Sequence, residues 1–338
     1  MINVAIIGAS GFTGLELTKI LNKHPFISKL DLYSFNNAGK ILSEFTNDSD
    51  IKNKELLKFS DLDFNFYQVI FFACPNGTAM KYYEKVDFTK TKVIDLAADY
   101  RLDDEKVWEE FYEMKHQNPQ LLAEAIYGIP ELNRDKIKEA KLVANPGCYP
   151  TAAILALYPL LKEHLIEAKN IIIDAKSGYS GAGRNKIDSG LGEKINENFI
   201  PYNFSQHRHT PEIIQELSKI NNQDVELIFS PQVLPIYRGI LETIYVNKNK
   251  NTPDEDIQEA FKKHYANENF ISYEKSKHIE IKEVALTNNV SISFHSEKSE
   301  KITIISAIDN LIKGAAGQAV QNMNIMMDFD ETTALINE

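Results

Sequence analysis

The first fourteen residues constrain this chain more than any other stretch. Ile2 to Ile7 is an unbroken apolar run, the pattern of a strand covered on both faces. It passes through Gly8-Ala9-Ser10-Gly11-Phe12-Thr13-Gly14 into a segment carrying Leu15, Leu17, Ile20 and Leu21, stopped at His24-Pro25. Strand, glycine turn and helix in that order open a dinucleotide-binding fold. The glycines permit a tight turn and let a pyrophosphate approach the helix N-terminus. The spacing is G-x-x-G-x-x-G, not the commoner G-x-G-x-x-G, so its weight comes from its place at the first strand of an αβ alternation. Gly8, Ser10, Gly11, Phe12, Thr13 and Gly14 are therefore expected to contact the cofactor.

The next strand, about Lys29 to Phe35, bears on which dinucleotide binds. NAD-binding folds usually place a carboxylate at its tip to hold the ribose 2′-OH. Here the tip reads Tyr33-Ser34-Phe35-Asn36-Asn37 with Lys40 close behind, and Asp31 comes too early. Ser34, the amides and the lysine suit a 2′-phosphate, so NADP is expected. Gln68 to Phe72 is another buried strand, ending at Cys74-Pro75-Asn76-Gly77. Its turn should lie near the nicotinamide ribose, with Pro75 in contact and Cys74 packed as a small hydrophobe. Val93 to Leu96 follows, and Arg101 in its exit loop is either a surface cation or an anion ligand.

Leu142 to Ala144 runs into Asn145-Pro146-Gly147-Cys148, and a helix is expected from about Pro150 to Glu163. Cys148 thus meets the positive end of a helix dipole, which lowers a thiol's pKa and favours the nucleophilic thiolate. Beyond it the pattern changes to alternating strands at 171–175, 225–229, 240–247, 279–284, 291–295 and 302–307, an α+β domain with a largely antiparallel sheet. Two stretches there carry chemistry. Ser177-Gly178-Tyr179-Ser180-Gly181-Ala182-Gly183-Arg184 offers hydroxyls, backbone N–H groups and a guanidinium to an oxyanion. His207-Arg208-His209-Thr210-Pro211-Glu212 precedes a helix expected from Ile213, and a histidine so placed suits acid–base work. The pair lacks a third ligand at metal spacing, so no metal is expected. Arg238, in Pro235-Ile236-Tyr237-Arg238-Gly239, could bind a substrate carboxylate or serve the fold. Asp309 to Met327 reads as a small-residue helix expected to pack on the first domain, with Asn310 set apart as a cofactor contact.

The division expected is 1–147 for the NADP-binding domain, 148–308 for the catalytic domain and 309–338 for the returning helix. A net charge of −11 argues against nucleic acid or an anionic membrane surface, so an anionic substrate needs a local basic cluster. Two cysteines support neither a disulfide framework nor a zinc site. With no leader-like start and no membrane-length apolar run, a cytoplasmic enzyme is expected.

Taken together, GASGFTG, DLAADYRL, YGIPELNR, ANPGCYPTAA, SGYSGAGR, HRHTPEI, PIYRGIL and DNLIKGAAGQAVQNMN resemble, in order and over essentially the whole chain, the N-acetyl-gamma-glutamyl-phosphate reductases. These are NADPH-dependent enzymes of arginine biosynthesis. The resemblance implies a Rossmann-type domain followed by a catalytic domain, and a dimer or tetramer of identical chains. It makes Cys148 the nucleophile that forms a thioester from an acyl phosphate, and a histidine the acid/base. His209 is taken for that role, His207 for phosphate or orientation. Arg101, Ser177, Ser180 and Arg208 are candidates for phosphate, and Ser177 and Gly178 also stand among the expected cofactor contacts. Ala98 and Cys74-Pro75-Asn76 depart from the family pattern. The same chemistry on a substrate one methylene longer, N-acetyl-α-aminoadipyl phosphate, and a non-catalytic NADP sensor are the alternatives.

Overall fold

The computed structural model describes residues 1–250, 252–296 and 300–336. The chain divides into two compact units, Met1–Pro146 with Ala315 onward, and Gly147–Gly314. Asp309 to Gly314 thus group with the second unit, later in the chain than the expected division at 308 places the return.

In the first unit β1 (Ile2–Ile7) leads into α1 (Phe12–Asn22), then β2 (Ile27–Ser34), β3 (Leu57–Lys58), β4 (Val69–Phe72) and β5 (Lys92–Asp95). After α2 (Glu105–Tyr112) come β6 (Ile126–Tyr127), α3 (Pro130–Glu139) and β7 (Leu142–Ala144). Among the described residues the sheet order is β3-β2-β1-β4-β5-β7-β6, and every pairing is parallel. Val69 to Phe72 are all fully buried, as strands covered on both faces must be. Strand order reverses between β1 and β4, and in such sheets the ligand crevice opens at the carboxyl ends of the strands flanking that point. The glycine turn leaves β1 there.

The second unit starts with α4 (Cys148–Lys162), two residues earlier than the sequence suggests, so Cys148 is the first helical residue. Ala152 to Leu157 have no exposed surface, which fits a helix apolar on all sides. Then come β8 (Ile171–Gly178), β9 (Ile200–Pro201), α5 (His209–Asn221), β10 (Leu227–Leu234), β11 (Ile240–Asn247), α6 (Asp254–Tyr265), β12 (Ile271–Lys275), α7 (Ile281–Val284), β13 (Val290–Ser296) and β14 (Lys301–Ile308). The order is β12-β13-β14-β11-β8-β10-β9. Pairing is antiparallel except for β12 with β13 and β8 with β10, so the sheet is largely antiparallel as expected.

The expected strand at 279–284 is instead the single-turn α7. Ile281 and Val284, three apart, share one face of a turn, and Ile281 packs where Gly239 leaves no room for a Cβ. The edge strand is supplied by Ile271–Lys275. Gly317–Met326 forms α8, preceded by a π-helical turn at Ile312–Ala316. Within the first unit α8 is tied down by Asn322, whose Nδ2 donates to Gly128 O at 2.9 Å and to Asn145 Oδ1 at 3.1 Å. No helix among the described residues is long and apolar enough to cross a membrane.

Candidate active site

The nucleotide-side residues lie in the first unit. Gly8 has φ +88°, and a Cβ there would lie 2.3 Å from the Ala73 carbonyl oxygen. A Cβ on Gly14 would come within 2.4 Å of Gly8 O, so neither position can carry a side chain without moving backbone. Gly11 stands before Phe12 and Thr13 as the N-cap of α1, with no side-chain cap and no acidic residue in the first turn. A helix start so arranged fits a pyrophosphate. Ser34 Oγ accepts the Asn37 N–H at 3.1 Å, and Asn37 Nδ2 donates to Ser10 Oγ at 3.2 Å, which ties the tip of β2 to the glycine turn. Asp31 sits back along β2, beside Ala5, and is taken by Tyr67 Oη at 2.6 Å and Lys29 at 2.8 Å.

Pro75 is exposed on the turn after β4. Burial, with Asp95 and Asp99 nearby, pushes the Cys74 thiol up, the behaviour of a packed cysteine. Arg101 is buried; its Nε donates to Asn145 O and an Nη to Leu96 O, both at 2.8 Å. Those bonds brace the loop after β5 against the end of β7.

In the second unit the chemistry gathers at two helix starts. Cys148 is half-buried at the first position of α4. Contrary to the expected start at Ile213, α5 begins at His209, so His209 also occupies a first position. Glu212, in the first turn of α5 and 1 % exposed, accepts the Gly147 N–H at 2.8 Å and fixes one helix start against the other. His209 Nε2 lies only 2.5 Å from where a Cβ on Gly147 would be, so the imidazole rests on the residue before the nucleophile. On the other flank a Cβ on Gly314 would lie 2.7 Å from Cys148 Cβ. Pro150 has no N–H and that of Thr151 goes to Gly147 O, so an oxyanion at this turn has at most the Cys148 and Tyr149 amides.

His207 and His209 have ring centroids 4.8 Å apart, and the His209 backbone N–H donates to His207 Nδ1 at 3.1 Å. An acceptor Nδ1 belongs to an imidazole unprotonated there. Burial, reinforced by Arg208 and Lys186, lowers His207 to about 4, so it stays neutral. Tyr149, Tyr202 and Phe229 stand edge-on around it. Burial pushes Tyr202 up to about 12, and Tyr202 Oη donates to Tyr149 Oη at 3.3 Å. The sequence singled out Arg208 but passed over Lys186, whose field also reaches His207. Both are exposed, and both put positive charge near His207 in a chain of net charge −11.

The glycine-serine segment is held mainly by backbone. The N–H groups of Gly178, Tyr179 and Ser180 donate to the carbonyls of Gly239, Ile236 and Tyr237. Asn310 is buried, with Oδ1 accepting the Gly239 N–H at 2.6 Å and Nδ2 donating to Ser180 Oγ at 2.9 Å. Ser177 Oγ donates to Gly178 O at 2.9 Å. Arg238 Nη1 meets the fully buried Asp309 at 3.0 Å, the contact of an arginine serving the fold. Among the described residues no cluster of three or more His, Cys, Asp or Glu could hold a metal.

A Rossmann-type unit joined to a mixed-sheet unit with a helix-start cysteine and a paired imidazole defines a semialdehyde dehydrogenase. Residues 3–140 match the family model described as semialdehyde dehydrogenase, NAD binding domain, and residues 148–310 that described as semialdehyde dehydrogenase, dimerisation domain. Aspartate semialdehyde dehydrogenase II of Vibrio cholerae, complexed with ASA, shares the fold at TM-score 0.75 and 19% identity, covering 97% of this chain and 98% of that one. The Candida albicans enzyme with NADP does so at TM-score 0.71 and 16% identity, over 97% and 98%. Sequence similarity is higher to proteins named N-acetyl-gamma-glutamyl-phosphate reductase: 44% identity with that of Ruthia magnifica over 99% of this chain and 98% of the relative. The relative from Pelotomaculum thermopropionicum is 43% identical over 99% and 97%. The chain belongs to the N-acetyl-gamma-glutamyl-phosphate reductase family.

Proposed function

We propose that this protein reduces N-acetyl-gamma-glutamyl phosphate to N-acetyl-glutamate 5-semialdehyde, releasing phosphate, with NADPH as the reductant, in the arginine pathway of the cytoplasm. The observation that carries this reading is the seat of His209 Nε2 on Gly147, beside a cysteine that opens a helix. The dipole of α4 stabilises the Cys148 thiolate. That thiolate attacks the acyl carbon; the tetrahedral adduct collapses, the C–O bond to phosphate breaks and a thioester remains. The first-turn amides steady the oxyanion. When bound, NADPH supplies the hydride that reduces the thioester carbonyl. His209 gives its proton to the resulting oxyanion, then takes it back as the thiohemiacetal opens to aldehyde and thiolate.

Arg208 and Lys186, with Ser180, supply the charge and hydroxyl that a departing phosphate needs. Arg101, bonded to the Asn145 and Leu96 carbonyls, stays a phosphate candidate on the family resemblance alone. NADP over NAD is supported by the β2 tip, where no carboxylate stands and Asp31 is occupied. The description of the 148–310 family as a dimerisation domain supports a homo-oligomer.

The test is Cys148→Ser. Turnover should vanish while NADPH still binds; retained turnover would overturn the reading, as would phosphate-dependent oxidation that clearly prefers the semialdehyde one methylene longer.

A further inference from the structure

Asp309 has no exposed surface and joins three segments of the second unit. Its Oδ1 accepts the N–H groups of Leu311 at 2.8 Å and Ile312 at 3.1 Å. Its Oδ2 accepts the Leu286 N–H at 2.7 Å and the Arg238 guanidinium at 3.0 Å. Its own carbonyl accepts the Gly314 N–H at 2.9 Å, an i→i+5 bond that winds the turn as π rather than α. A π-turn is uncommon and is kept where side chains or backbone must be re-aimed. The outcome of this one is that Gly314 arrives against Cys148 Cβ, at a distance that admits hydrogen but no methyl.

We propose that Asp309 is a positioning residue for the nucleophile: its carboxylate, balanced by Arg238, locks the turn that seats Gly314 on Cys148 and so fixes the direction of the sulfur. Asp309, with no exposed surface, acts through Gly314. The inference rests on Cys148 being the nucleophile. Leu286 supports the idea of a built constraint. It is a largely exposed residue at φ +64°, a region unfavourable to leucine, and its N–H is spent on Asp309.

The experiment is a double-mutant cycle on the full-length protein with Asp309→Asn and Gly314→Ala. It reads kcat, KM and the pH profile of Cys148 carbamidomethylation by iodoacetamide, followed by peptide mass spectrometry. A small misplacement of a reacting atom costs up to about 100-fold in rate, so each single variant should lose about 10- to 100-fold in kcat with KM for the acyl phosphate little changed. The alkylation profile should move in both. Because both variants act through one contact, the double variant should be scarcely slower than the slower single. Losses that multiply, or an unaltered alkylation profile in Asp309→Asn, overturn the proposal. Should Asp309→Asn fail to fold, Arg238→Lys takes its place in the cycle with the same outcomes. If wild-type turnover survives complete alkylation of Cys148, the nucleophile reading itself fails; if it is abolished but the losses multiply, only the role of Asp309 does.

Discussion

Nε2 of His209 lies 2.5 Å from where a β-carbon on Gly147 would stand, so the imidazole occupies the space that such a carbon would need. Gly147→Ala should therefore displace the imidazole or the start of α4. Overpacking of this kind costs about 1–3 kcal/mol, a loss the fold can absorb. Urea unfolding should show that modest loss, while kcat falls by about 100-fold or more as the proton donor leaves its place. Full activity in a folded Gly147→Ala protein would remove His209 from the mechanism.

The two histidines should separate by substitution. His209→Asn is expected to lower kcat by about 10²–10⁴-fold, the usual worth of a positioned acid–base group. His207→Gln should act less on rate and more on stability. Its pKa is lowered in the fold to about 4, so the native state favours the neutral ring. Below the ordinary value of 6.5 the unfolded chain binds the proton more readily, and stability is lost as pH falls from there toward 4. Urea midpoints at pH 7 and pH 5 should differ less in His207→Gln than in the wild type.

Glu242 carries the opposite dependence. It is fully buried on β11, with Ser306 and Ala175 as its cross-strand neighbours, and burial raises its carboxyl well above the ordinary 4.5. The folded state keeps the proton that the unfolded chain gives up, so stability falls as pH rises above 4.5 until the folded group itself ionises. Glu242→Gln, neutral in both states, should flatten the decline in denaturation midpoint between pH 5 and pH 9. A wild-type curve that rises over that interval, with no difference in the variant, would contradict this.

The reading of the β2 tip predicts a cofactor switch. Ser34→Asp places a carboxylate where a 2′-phosphate is expected, at a residue that already accepts the Asn37 N–H. Initial rates should show kcat/KM falling for NADPH and holding or rising for NADH. An unchanged ratio would mean that the 2′-phosphate lies elsewhere.

The first unit was legible because its signals are local. The apolar run of β1, the glycine turn and the helix are contiguous; in the second unit the same locality put Cys148 at a helix start. What the sequence hid is contact across long separations. Nothing near Gly147 indicates that Glu212 will hold its amide, or that Gly314 will press on Cys148. Arg238 and Asn310 look like ligand contacts because arginine and asparagine near glycine loops often are; in the fold their side chains pin neighbouring segments. The expected strand at 279–284 failed for another reason: three aliphatic residues in six suit either period, and packing against Gly239 decided for the turn.

The proline at the third position of α4 has a consequence for how the phosphorylated end of a substrate is held. With one amide absent and the next engaged, the mouth of that helix offers a charged oxygen at most the Cys148 and Tyr149 N–H groups. On the proposed function, the phosphate dianion then depends on side-chain cations such as the exposed Arg208 and Lys186 for the rest of its charge balance. Water and salt reach such exposed cations freely, so added electrolyte should loosen the grip on the leaving group and raise KM for the acyl phosphate.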